Sequence, residues 1–307
     1  MTVNSKDALM AAGIRGEFFE SMARAPQHYL RLATRIQSRT AVEQFRFLGH
    51  LPSMRQMLSD GRRIQTLAVE SYDVASEVYE CTCSATRSEF DDDQTGQIRA
   101  RVQEMAQAAA TFKDYEISQL LIHGDEAGYN SYDGVPFFSA SHESFESGAQ
   151  DNTQTSAAAT GTQPTVAEFQ EALATAIQRI LGFKDDRGNM LNLAPTGLVA
   201  VVPPNMYMVA LTALGGTVIA ATDNVLKGAA DLIVMPWLVS ETAEWYLLKA
   251  DTPICPFIWL DRDPIEFEAR ERGSDSAFYS ETYVWGARDR HKMTYGRWSG
   301  AVKHTFT

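Results

Sequence analysis

Between Ile98 and Leu121 the apolar residues fall at helical spacing without a break, and this run limits the possible folds more than any other feature. Ile98, Val102, Met105, Ala109 and Phe112 recur at intervals of three and four, which places them on one face of an α-helix. The pattern carries through Leu120 and Leu121 and stops at Gly124, a residue suited to ending a helix. Asp91-Asp92-Asp93 stands at the front, where carboxylates cap free N–H groups and favour the helix dipole. Such a helix is roughly 40 Å long. That is too long for an ordinary small domain, and it predicts a spine.

The other segments are read around that spine. Residues 1–45 predict one or two amphipathic helices, with Phe18, Phe19, Met22, Tyr29, Leu30 and Leu32 as apolar surface. That surface is too small for an independent core, so the leader needs something to lie on. Phe45 to Met54 is a turn-rich link. Residues 64–72 and 76–87 read as two strands joined near Asp73. In the second, Tyr79, Cys81, Cys83 and Ala85 share one face and Glu80, Thr82, Ser84 and Thr86 the other. An isolated ribbon of this kind is marginal in water. It is expected to dock on another subunit, or else on its own domain.

Beyond the spine, Asp133-Gly134 is a turn signal, Pro136 stiffens its exit, and Phe137-Phe138 commits the chain to a buried place. Residues 148–163, rich in Ser, Thr, Ala and Gly, predict a mobile surface loop. Thr165 to Leu181 predicts a second amphipathic helix, with Phe169, Leu173, Ile177, Ile180 and Leu181 inward. From about residue 196 the character changes to a compact α+β lobe. Leu198-Val-Ala-Val-Val202 reads as a strand buried on both faces. Leu232–Leu238, Trp245–Leu248, Ile254–Leu260, Tyr283–Arg290 and Tyr295–Val302 read as further strands.

The chain has 307 residues, enough for two lobes. Its net charge of −12 is unevenly spread. Through Arg63 there are ten Lys and Arg against five Asp and Glu, a net of +5, which leaves −17 for the remainder. A basic leader on an acidic body suggests contact with acidic surfaces, or simply a solvated helix with scattered Arg. Cys81, Cys83 and Cys255 make no disulfide framework and lack nearby zinc ligands. They read as small apolar residues in a reducing cytosol. No run approaches the ~20 apolar residues of a membrane span, and no signal-peptide core is evident. The chain is therefore expected to fold in the cytoplasm.

Reactive motifs are scarce. No Walker A loop, dinucleotide fingerprint or nucleophile elbow occurs. Asp91-x-Asp93-x-Thr95-Gly96 imitates a calcium loop, but the twelfth position is Val102 where a bidentate Glu is needed. His142-Glu143-x-x-Glu146 lacks the second His of a zincin. Asp133 and His142 invite a hydrolase reading; a structural hydrogen bond at a turn is the plainer one. No catalytic, cofactor-binding or metal-ligating residue is assigned. Nothing resembles a nucleic-acid-binding face either.

In order, the chain offers a basic arm, a long hairpin, a spine helix, the Asp-Gly-x-Pro-Phe-Phe segment, a second helix, a compact lobe and return strands. This order resembles the Mu-like major head subunit family, the shell proteins of tailed phages with the Hong Kong 97 phage capsid fold. The matching residues are Asp91-Asp92-Asp93, Tyr132-Asp-Gly-Val-Pro-Phe-Phe138 with His142, Leu198-Val-Ala-Val-Val-Pro-Pro204, and Tyr295-Gly-Arg-Trp298. They span nearly the whole sequence.

The resemblance implies an α+β fold divided into an N-terminal arm (1–45), an extended β-hairpin loop (46–90), a peripheral domain with the spine helix (91–195), an axial domain (196–275) and return strands of the peripheral domain (276–307). It implies a major capsid protein, not an enzyme, assembling into pentamers and hexamers of an icosahedral shell around double-stranded DNA. The implied partners are further copies of the chain, a scaffolding protein, a portal, decoration proteins and packaged DNA bound without sequence preference, with no membrane and no cofactor. The implied location is the virion capsid, assembled in the host bacterial cytoplasm. Two departures stand out. Glu143 follows the His where a Pro is frequent, and Ile64 to Glu89 contains no Lys, so a covalent cross-link through that loop is not expected. An encapsulin-like compartment shell is the alternative within the same fold, and a hydrolase using Asp133 and His142 the alternative outside it.

Overall fold

The computed structural model describes residues 5–45, 72–93, 96–143, 147–160, 163–185, 187–191, 193–219, 221–271 and 274–307. The chain opens with helix α1 (Ser5–Arg24) and a single turn, α2 (Tyr29–Leu32), then enters strands β1 (Ala33–Gln37) and β2 (Val42–Phe45). Strands β3 (Tyr72–Ala75) and β4 (Glu77–Thr86) precede a short helix, α3 (Arg87–Asp91), and the spine, α4 (Gln97–Ile122). Strand β5 (Thr153–Ser156) and helix α5 (Val166–Leu181) follow. Next come β6 (Leu198–Val202), α6 (Tyr207–Gly215), a ribbon of β7 (Val218–Ile219) and β8 (Thr222–Asp223), then β9 (Asp231–Val234) and β10 (Glu244–Lys249). A long hairpin of β11 (Phe257–Arg270) and β12 (Thr282–Tyr295) carries a short helix, α7 (Asp275–Tyr279), at its tip, and β13 (Ala301–Phe306) comes last.

The spine starts later than the acidic triplet. Thr86 and Glu89 form a capping box that makes Arg87–Asp91 a helix of its own. Asp93 does the capping for α4: the backbone N–H groups of Gln97 and Ile98 donate to its two oxygens, each at 3.0 Å. The 26 residues of α4 give a rod of roughly 39 Å. Its N-terminal half lies on a four-stranded sheet of order β1-β11-β12-β4, through Ile98, Val102, Met105 and Ala106 against Ala85, Phe267, Tyr283 and Trp285. Its C-terminal half, through Ile117 and Leu121, enters the main core around a five-stranded sheet of order β5-β13-β10-β6-β9.

The leader does lie on something, and it is this same chain. Phe18 of α1 is fully buried and stacks obliquely on Phe267, ring centres 4.8 Å apart; such a burial contributes roughly 1.5–3 kcal/mol. Residues 33–37, expected as helix, form β1 instead, parallel to β11 from Ala33 opposite Phe257 to Gln37 opposite Asp261. Asp114, on the inner face of α4, ties the two together by accepting hydrogen bonds from the backbone N–H groups of His28 (3.0 Å) and Tyr29 (2.6 Å).

The expected hairpin is corrected. Asp73 lies inside β3, and β3 pairs antiparallel with β2, Val42 opposite Ala75. The strand at 77–86 has the alternation read from its sequence, with the Tyr79, Cys81, Cys83 and Ala85 side inward. Its partner, however, is β12, in register from Glu77 opposite His291 to Thr86 opposite Thr282. It therefore packs on its own chain. The first predicted strand, up to residue 71, and the link at 46–54 lie outside the described residues.

Three further expectations change. The polar stretch at 148–163 is no loop throughout: Thr153–Ser156 is an edge strand parallel to β13, and Asn152 beside it is fully buried. The strand expected over 254–260 continues to Arg270 and crosses Pro264, which sits where the register slips between Asp261 and Glu266; a bulge accommodates a proline that a regular ladder would not. The strand expected over 295–302 is broken. Gly296 is pressed against the backbone of Cys255 and Pro256, where a Cβ would collide, and Trp298–Gly300 makes a 3₁₀ turn before β13. Likewise 236–240 is a 3₁₀ turn opened by Pro236. The second helix matches its reading, capped by Thr165 and Glu168 in a reciprocal box. Every residue of β6 is buried, as an all-apolar strand with two covered faces requires.

Candidate functional site

The segment that invited a catalytic reading is a knot of short-range turns. Gly134, at φ +82°, takes the backbone conformation that favours glycine. Its N–H donates to the Ser131 carbonyl at 3.0 Å, and the Ser131 N–H to the Val135 carbonyl at 2.8 Å. This reversal sends Phe137 and Phe138 into the core. Phe137 stacks on Tyr295 with ring centres 4.3 Å apart and planes 13° from parallel, and the Tyr295 hydroxyl donates to the Leu120 carbonyl at 2.7 Å. Phe138 packs on Tyr246 of β10, and its N–H donates to the Gly124 carbonyl at 2.8 Å. A Cβ on Gly124 would stand 2.6 Å from the Phe138 ring. The glycine read as a helix stop is thus also a place of close approach.

Asp133 and His142 do come together. His142 Nδ1 lies 2.6 Å from Asp133 Oδ2, and His142 Nε2 lies 3.2 Å from the Phe137 carbonyl. Their side chains are 0% and 3% exposed. The indole of Trp298 covers the imidazole face, 4.2 Å away and 7° from parallel. Asn152 completes the knot: its Nδ2 donates to the Phe137 carbonyl at 2.8 Å, and its Oδ1 accepts from the Ser139 N–H at 2.8 Å. A general base has to reach the proton it removes. Here both ring edges are bonded within the chain and one ring face is covered, so the pair holds three segments together.

A second polar cluster escaped the sequence reading. On α4, Lys113 pairs with Asp289 of β12. His291 Nε2 lies 2.6 Å from Glu116 Oε2, and its Nδ1 lies 3.2 Å from Asp289. The Tyr79 hydroxyl of β4 donates to Glu116 at 2.9 Å. Burial pushes the Asp289 carboxyl up, but the bond from His291 and the charge of Lys113 outweigh it and hold the group below its ordinary value. Burial pushes His291 down, but its bonds to Asp289 and Glu116 bring it above 6.5. The signal was available: Lys113 follows Ala110 by three and precedes Ile117 by four, so helical spacing aims it inward. Its ammonium sits over the rings of Tyr29 and Trp259, at 5.6 and 5.2 Å.

Among the described residues, no group of three or more His, Cys, Asp and Glu is arranged to hold a metal ion, and no helix is long and apolar enough to cross a membrane. Cys81 and Cys83 are half-buried under α4, and that burial raises both thiols above their ordinary value.

Known proteins agree with this picture of a structural part. The major capsid protein of Escherichia phage Mu is 31% identical over 142 residues, 46% of this chain and 45% of that protein. The Mu-like prophage FluMu major head subunit of Haemophilus influenzae is 26% identical over 132 residues, 42% of this chain and 41% of that protein. The alignments thus span less than half the length of these curated relatives. Among solved structures, the procapsid of bacteriophage JBD30 superimposes with a TM-score of 0.60 at 22% identity, covering 99% of this chain and 76% of that one. The α+β architecture is that of the Hong Kong 97-like phage capsid fold. The model of the family described as Mu-like prophage major head subunit gpT matches residues 8–169, 167–238 and 239–306. That is a structural family and not an enzyme family, and with the match running almost end to end, this chain belongs to it.

Proposed function

We propose that this chain is the major capsid protein of a tailed phage, which assembles into the pentamers and hexamers of an icosahedral shell around double-stranded DNA. The observation that carries the reading is the family match from residue 8 to residue 306. The sealed Asp133–His142 pair supports it, because it leaves the rival hydrolase without an open site. An encapsulin-like compartment would share the fold, so what favours a DNA-filled head is the family and not the architecture.

In this reading the α4 spine with β1, β11, β12 and β4 is the peripheral domain, and the five-stranded sheet with α6 is the axial domain. The axial domain then takes β5 from before residues 196–275 and β13 from after them, while β11 within that span belongs to the peripheral sheet. Residues 1–45 are the arm and 46–90 the extended loop, with β4 serving as the loop's anchor in the peripheral sheet. A scaffolding protein, a portal, decoration proteins and DNA held without sequence preference are the partners, in a shell built in the host cytoplasm.

Electron microscopy of the expressed chain, alone and together with its scaffolding protein, tests this. Closed shells, sheets or tubes are expected. A subunit that stays monomeric in both preparations overturns the proposal. Shells that hold enzymes and no nucleic acid turn it toward the compartment reading.

A further inference from the structure

Strand β5 ends one side of the five-stranded sheet, and β13 takes only one of its edges. The carbonyls of Asn152 and Ser156 accept from the N–H groups of Lys303 (3.0 Å) and Thr307 (2.9 Å), and the Ala158 N–H donates to the Thr307 carbonyl at 3.1 Å. The even-numbered residues thus point their backbone groups at β13, and strand alternation turns the odd-numbered ones outward. The chain ties this outward edge at both ends with its own side chains. Arg179 Nη1 donates to the carbonyls of Asp151 (3.0 Å) and Thr153 (2.7 Å), and the Thr153 N–H donates to the Asp151 carboxylate at 2.7 Å. At the other end the Ala159 N–H donates to Glu168 Oε1 at 2.9 Å. Between these ties, the N–H and C=O groups of Thr155 and Ala157 have no partner among the described residues. Edges meant for water are commonly blunted by Lys, Pro or a bulge. Neither residue is Lys or Pro, both are exposed, and the pairing with β13 has no bulge.

The open groups line a groove of about 560 Å³. Its other wall is one face of α5, where Glu168, Glu171, Thr175 and Arg179 follow at helical spacing. The charge of Arg179 is already engaged, by Asp151 at 2.6 Å and by the two carbonyls. Glu171 is exposed and has no ion pair among the described residues. The wall that faces the open groups is therefore negative. Alternating donors and acceptors at strand spacing match another polypeptide backbone. Carboxylates beside them repel the phosphates of nucleic acid and lipid and attract Lys and Arg.

We propose that the groove between β5 and α5 binds an extended basic segment of a partner protein, which adds to Thr155 and Ala157 as a further strand and turns its cations toward Glu168 and Glu171. The site is complete within one subunit, so it does not depend on the shell reading above. Backbone bonds to two residues and a pair of exposed carboxylates make a modest grip. Affinity is expected to fall as salt screens the charges.

Fluorescence anisotropy of a dye-labelled peptide of alternating lysine and threonine, titrated with the free subunit at low salt, tests it. Saturable binding is expected, with the Thr155 and Ala157 amides exchanging hydrogen about tenfold more slowly in the complex. Thr155→Pro deletes one edge donor where an edge strand tolerates proline, and Glu171→Lys reverses the charge of the wall. Each variant should melt as the unaltered chain does and bind the peptide about tenfold more weakly. Absence of binding overturns the proposal. So does equal affinity for the peptide with N-methylated amides, for its glutamate counterpart, or for either variant. Protection of the two amides in concentrated subunit alone, lost on dilution, would put a second copy in the groove and overturn it as well.

Discussion

His304 is the residue whose behaviour separates most clearly from its surroundings. It is buried in β13, its Nε2 2.9 Å from the Ser156 hydroxyl, and burial pushes it down to about 4. The native chain keeps this imidazole neutral where the unfolded chain protonates it, so stability falls as pH drops below 6.5. From pH 6.5 to 5 the loss is about 2 kcal/mol. His291 works on the other side. It is raised above 6.5, so its contribution is complete below 6.5 and is lost as pH rises through the raised value. Together they predict a stability maximum near pH 6.5 in chemical denaturation of the subunit, with His304→Asn removing the acid slope and leaving the alkaline one. Gly124 gives a second test at this scale. Gly124→Ala drives a methyl toward the Phe138 ring and the Leu120 carbonyl, and should cost about 1–3 kcal/mol by thermal melting. Of the residues picked out from sequence, Asp133, Phe137, Phe138 and His142 proved to act as one unit. Their stacking partners, Trp298 and Tyr295, could not be known, because contacts across more than 150 residues leave no local pattern.

At the scale of elements, what could be read depended on where the partner lay. The spine and α5 were legible because a helix satisfies its own backbone and its apolar stripe repeats within one turn. β4 was legible as a strand from its alternation, yet its pairing was not. Strand registers are set by partners, and β12 lies some 200 residues away. β5 was invisible, since Thr153-Gln-Thr-Ser156 has no apolar alternation: its two threonines share a face, but all four residues are polar. The corrected place of β4 alters what a deletion does. Removing residues 66–84 takes out β3 and most of β4, which strips Ala287, Trp285 and Gly286 of their ladder partners. Such a variant is expected to lose cooperative unfolding, measured by circular dichroism on heating. A deletion confined to a docking loop would have left a folded subunit that fails only to assemble, so a normal melt here would return the segment to that role.

At the scale of the whole molecule, the α+β class was legible, while the sharing of the last strands between the two sheets was not. The segment from 276 to 307 serves both sheets: β12 lies in the four-stranded sheet and β13 in the five-stranded one. The turn that hands the chain from one sheet to the other, Gly296 to Gly300, packs against Pro256 and under the His142 ring. The knot around Asp133 therefore sits where both sheets and the end of the spine converge. This also bears on timing. β13 follows every other strand in the chain, yet it fills the slot between β5 and β10, with Thr153 opposite Lys303. At ribosomal rates the 150 residues between those partners take roughly 8–30 s to emerge, and until they do the sheet has a gap in its middle. A subunit still being made cannot present the finished surface, so only chains that have passed through that last step are competent to join a growing lattice.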